Sequence, residues 1–148
     1  MKSKMIYSDY NPETGDSLVI IHNKLGDFHG FAQLHPEDKE NESSFVGCRY
    51  AEARAYIACE QYKREVLDNQ IKGLRDFENI LKGKWDYNEH SMESKRLRRR
   101  IHELKEERAT VKNKIAAMKK ALKKSMDERD EFVKTKRINN INIRLDLK

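Results

Sequence analysis

Residues 84–100 read KWDYNEHSMESKRLRRR. The chain's single tryptophan, Trp85, stands near Tyr87, Asn88 and His90, and basic side chains fill five of the six positions 95–100. Aromatic rings beside guanidinium groups can stack a base and neutralise its phosphates. The Asn88 amide could read a base edge, and Arg98 lies within reach of a phosphate held there. The plainer alternative is that Trp85 and Tyr87 cover the open end of a helix pair, Asn88 closes a turn, and the arginines form a solvated face. Arg108 and Arg129 interrupt an otherwise apolar heptad. A guanidinium in a dry seam is costly unless paired. Each therefore snorkels to water or a nearby Glu, or reaches a ligand phosphate through bidentate contacts. Arg49, in FVGCRYAEARA, sits in a first helical turn, where the helix dipole disfavours a cation. It pairs with a local acid such as Glu52 or with a bound anion. Gly47, two residues earlier, permits a turn or a close approach.

Catalytic patterns are missing. LKGKWD holds a Gly-Lys pair but not the phosphate-binding loop of nucleotide hydrolases. The five histidines (His22, His29, His35, His90, His102) have no paired ligand spacing, and no serine sits in a nucleophile elbow. Carboxylates are spread over solvated faces. The chain reads as a binding protein rather than an enzyme, with no cofactor and no metal. Cys48 and Cys59 lie eleven residues apart without a CxxC pattern, which suits two small buried thiols in a reducing compartment.

The elements that must position these groups follow from periodicity. KMIYSDY, SLVIIHN and DFHGFAQL read as three strands of a meander over residues 4–34, with Gly26 at a tight turn. In the third strand Phe28, Gly30, Ala32 and Leu34 alternate with His29, Phe31 and Gln33. HPEDKENESS is a polar loop, and the sheet with this loop occupies residues 4–43. A long helix spans 44–83, with Ala51, Ala55, Ala58 and Tyr62, then Leu67, Ile71, Leu74, Phe77 and Leu81, on one stripe. Its small residues suit close approach of a backbone. An aromatic-polar joint follows over 84–91. Ser91 is the N-cap of a second helix over 92–137, whose stripe runs Leu97, Ile101, Leu104, Arg108, Val111, Ile115, Met118, Leu122, Ser125, Arg129, Phe132 in heptad steps. The tail, 138–148, is either a late strand or a disordered end.

The fold class is therefore α+β: a small N-terminal antiparallel sheet and two long antiparallel helices in a single domain over 1–148. Charged residues make up 38% and hydrophobic ones 37%, too thin an apolar share for a compact globule. Self-association through the helices is expected. Residues 1–46 hold 4 Lys/Arg against 8 Asp/Glu, a net of −4, and residues 47–148 hold 27 against 17, a net of +10. The helical part should attract anions. MKSKMIYSDY has no apolar core of a signal peptide, and no run is apolar and long enough for a membrane.

A short meander, then GCRYAEARAYI opening a long helix, then an aromatic-polar turn and a second basic helix, resemble the phage Thoeris anti-defence sponges of the first-described type. The resemblance covers most of the chain in layout, and GCRYAE is its most specific segment. It implies a homodimer or hexamer that binds glycocyclic ADP-ribose, the signal of the host's Thoeris enzyme, and sequesters it uncut in the cytoplasm of the infected bacterium. It also implies separate sites for cyclic trinucleotides of a second defence system. The family's pocket draws on an aromatic and an asparagine at the joint and on second-helix arginines, roles that carry onto Phe77, Asn88 and Arg108. Two other classes stand beside this reading: a nucleic-acid-binding module, and a helical adaptor that occupies a host protein. Nucleic acid is not the expected partner, because acids interleave with the bases in ELKEERATVK and MDERDE.

Overall fold

The computed structural model describes residues 2–33 and 43–146. Strands β1 (Lys4–Asn11), β2 (Asp16–Asn23) and β3 (Gly26–Ala32) form one antiparallel sheet in the order β1-β2-β3. Both hairpin turns use a glycine at positive φ, Gly15 at 76° and Gly26 at 126°, where a side chain would be strained. Asn side chains close the same turns: Asn11 Oδ1 accepts from Glu13 N at 3.0 Å and Asn23 Oδ1 from Leu25 N at 2.8 Å. Two long helices follow, α1 (Ser44–Lys82) and α2 (Met92–Asp146). The α+β class is as the periodicity predicts. Most of the polar loop HPEDKENESS, and Leu34 with it, lies outside the described residues.

The chain divides into two compact units, one joining residues 1–59 with 117–148 and the other comprising 60–116. In the first, strand alternation buries Ser17, Val19, Ile21 and Asn23 of β2 with Gly30 and Ala32 of β3. Ala51, Ala55 and Cys59 of α1 join Val19, Ile21 and Ala32 in one core. The small-residue face of α1 serves this close approach. A Cβ on Gly30 would fall 1.6 Å from the Ala51 carbonyl oxygen and 2.5 Å from Ala55 N, and one on Gly47 would fall 2.4 Å from Ser17 Oγ. Within this unit Tyr50 Oη donates to the Ser125 carbonyl at 3.2 Å, and Arg54 Nη2 lies 3.9 Å from Met126 Sδ. Arg54 Nη1 also donates to the Phe31 carbonyl at 2.6 Å.

In the second unit Ile71 of α1 and Leu97, Ile101, Leu104 and Ile115 of α2 are buried. Glu60 meets Lys114 and Asp68 meets Arg108, so the helices run antiparallel here. The heptad seam is tightest at these residues. Val111, Met118 and Leu122 are half-buried, and Phe132 is exposed. Tyr62 and Phe77, assigned to the α1 stripe by spacing, are exposed as well. A pair of helices covers only a narrow seam, and residues off its line stay outside.

The tail departs from the sequence reading. Among the described residues of the tail no strand forms, because α2 continues through 138 to Asp146. Each further helical residue adds a hydrogen bond to a nucleus already formed. Ile138, Ile141 and Leu145 also fit helical spacing. At the other boundary α1 stops before Gly83, which does not take positive φ. Tight i→i+3 bonds from Gly83 N to Ile80 O and from Lys84 N to Leu81 O end the helix instead. Among the described residues no helix is long and apolar enough to cross a membrane.

Glu60 is the one buried carboxylate among the described residues. It accepts from Lys63 Nζ at 2.9 Å and Lys114 Nζ at 3.0 Å. Burial alone pushes its carboxyl up, and the hydrogen bonds from Lys63 and Lys114 outweigh that and hold it below its ordinary 4.5. A carboxyl lowered in the folded state stabilises it above the unfolded value, and that stabilisation disappears as pH falls through the folded value. Glu60→Gln is therefore expected to melt several degrees below the parent at pH 7. The gap should be smaller at about pH 3, below the ordinary carboxylate range. Melting curves at both pH values check this, and an equal gap at each would show that the charge is not the cause.

Candidate functional site

The joint is built from both ends. On the α2 side Ser91 is the N-cap, as its position predicts: its Oγ accepts from Ser94 N at 3.2 Å and donates to Ser94 Oγ at 3.0 Å. Ser94 Oγ in turn donates to the Asn88 carbonyl at 3.1 Å. Asn88 Oδ1 accepts from His90 N at 2.9 Å, an Asx turn. The acceptor end of the Asn88 amide is thus used in closing the turn. Arg98 folds back so that its Nη2 donates to the Glu89 carbonyl. For Asn88 the geometry matches the plainer reading of a closed turn, whereas Arg98 is tied to a backbone carbonyl that neither reading named.

Trp85 is different. Its side chain is 98% exposed at the tip of the joint. Tyr87 is half-buried and, with Asn88, lines a hollow of about 150 Å3 completed by Leu81, Lys84, Asp86, Ser91, Glu93 and Ser94. One lysine and two carboxylates border that space, so it is no ready-made anion pocket. Of the eight residues singled out by sequence, only Tyr87 and Asn88 share this hollow. Phe77 lies on α1 with half its surface exposed.

The remaining arginines have partners within their own units. Arg108 Nη1 lies 3.1 Å from Asp68 Oδ1, an ion pair between α2 and α1. Its place in the heptad is explained by that carboxylate rather than by a Glu close in sequence. Arg49 lies 3.8 Å from Glu52, the acid expected for it, with its guanidinium 5.8 Å from the Phe45 ring centroid. Arg129 stands 5.5 Å over the Phe132 ring and faces Tyr50, whose phenol burial pushes up while Arg129 pulls it down. Arg49 and Arg129 belong to the sheet-bearing unit and the joint to the other.

Sequence reasoning passed over two groups. Lys84 borders the hollow directly. Arg96 and Arg99, in the first turns of α2, are exposed and make no ion pair among the described residues. Both were visible in KRLRRR but not separable from Arg98 and Arg100, because only geometry shows Arg100 held 3.3 Å from Glu103. Among the described residues no group of three His, Cys, Asp or Glu side chains could hold a metal. No family model, no curated protein and no solved structure matches this chain.

Proposed function

We propose that this chain binds a cyclic ADP-ribose-type signalling nucleotide at the α1–α2 joint and holds it without cleaving it, acting as a sponge in an infected bacterium. The observation that carries the reading is Trp85, an aromatic left 98% exposed at the joint, ahead of a helix whose first turns hold Arg96 and Arg99 exposed and without ion pairs among the described residues. Folding alone gives no reason to present that ring to water. Stacking a base does, and exposed guanidinium groups suit a pyrophosphate. The resemblance of the sequence to the Thoeris anti-defence sponges points to the same assignment.

A hollow of about 150 Å3 is below the roughly 300–1,000 Å3 that encloses a ligand of this size. In this reading the second wall comes from another copy of the chain, with Phe77 at its edge. Enclosure between copies would give slow release, which a sponge needs in order to outcompete a receptor.

The test is retention. Purified protein is incubated with glycocyclic ADP-ribose, filtered, and heat-denatured, and the released material is analysed. Intact nucleotide in stoichiometric yield is expected. Degraded nucleotide would make the protein a hydrolase, and no retention would end the sponge reading.

A further inference from the structure

We infer that α2 carries a second anion-binding surface, formed by Lys119, Lys120, Lys123 and Lys124, that takes the phosphate backbone of a nucleic-acid duplex. Residues 109–126 contain no Asp or Glu. Within them these four lysines form two i,i+4 pairs, Lys119 with Lys123 and Lys120 with Lys124, on neighbouring rows of one helix. All four are exposed. None makes an ion pair among the described residues, whereas upstream on the same helix Arg100, His102, Arg108 and Lys114 each face a carboxylate. Asp127 and Glu128, one turn beyond, do not engage them.

Like charges at i,i+4 destabilise a helix. No ion pair among the described residues offsets these, so the quartet has no structural return that the helix itself displays. An anionic partner supplies the return. The pairs step about 6 Å along the helix axis, giving a regular array of point charges suited to a regular polyanion. Other partners fit less well. No large apolar side chain is exposed between Met92 and Phe132, so this face has no group to insert into a bilayer and no anchor for a protein interface. It also has no aromatic for stacking single-stranded bases. What remains is a duplex read through its backbone alone. The acids that interleave with bases elsewhere in the helical part, which argued against nucleic acid in the sequence, are absent from this stretch.

The test uses the full chain and a labelled DNA duplex of mixed sequence, followed by fluorescence anisotropy. Four phosphate contacts predict a slope of about −3.6 in log affinity against log salt, roughly a 100-fold loss between 50 and 200 mM. The variant K119Q/K120Q/K123Q/K124Q should bind at least 100-fold more weakly at 50 mM salt. It should melt no lower than the parent, because the repulsion is relieved, and it should retain glycocyclic ADP-ribose as the parent does. Unchanged duplex binding by the variant, no duplex binding by the parent at 50 mM, or capture by anionic phospholipid vesicles in place of the duplex would each overturn the assignment. Because the joint is untouched, failure here leaves the nucleotide test standing, and the reverse holds.

Discussion

Gly30→Ala is expected to destabilise the sheet-bearing unit by more than about 3 kcal/mol, the upper range for forcing an atom into a packed interior. The added Cβ would sit 1.6 Å from the Ala51 carbonyl oxygen and 2.5 Å from Ala55 N. Both are backbone atoms of α1, about two to three turns in from its start, so no side chain can swing aside. Either the helix lifts off the sheet, exposing Val19 and Ile21, or β3 leaves its register. Gly73→Ala is the matched control. It lies in the interior of α1 with nothing within 4 Å of the new atom, and should raise stability by about 0.5–1 kcal/mol. Urea titrations of the two variants decide the matter. If Gly30→Ala unfolded within 1 M urea of the parent, the contact between α1 and the sheet would not be as close as described.

Trp85→Ala should lower affinity for the retained nucleotide by about 5- to 150-fold, the range of about 1–3 kcal/mol for one stacked base. Its melting temperature should stay within a degree or so of the parent, since a ring 98% exposed adds little to folding. Asn88→Ala should behave differently. It removes the acceptor for His90 N, so it should lower the melting temperature as well as any affinity. Isothermal titration with glycocyclic ADP-ribose beside melting curves separates the two effects. Tight binding retained by Trp85→Ala would place the site away from the joint even if the protein were a sponge.

Much of the fold was legible because it rests on local rules. Alternation marked the inward face of β3, Gly26 marked a turn that needs positive φ, and Ser91 with Ser94 marked the start of α2. The small residues Ala51 and Ala55 foretold a close contact, though not that Gly30 would be opposite them. Charge partners were harder to read. Arg108 finds Asp68, forty residues away on the other helix, and no spacing rule reaches that far. Arg98 bonds a backbone carbonyl, which carries no signal in side-chain chemistry. Glu60 looks like any helical Glu until the fold buries it between two lysines. The tail misled because period-two and helical spacings coexist in INNINIRLDL, and a growing helix settles the choice.

The hydrogen bond from Arg54 to the Phe31 carbonyl has a bearing on solubility. β3 is an edge strand, and edge strands offer their backbone groups to any passing chain. Arg54 occupies one of those acceptors with a permanent positive charge. An incoming strand would have to displace a charge-assisted bond before it could align. The same residue that ties α1 to the sheet thus guards the molecule against intermolecular strand pairing, an effect that grows with protein concentration.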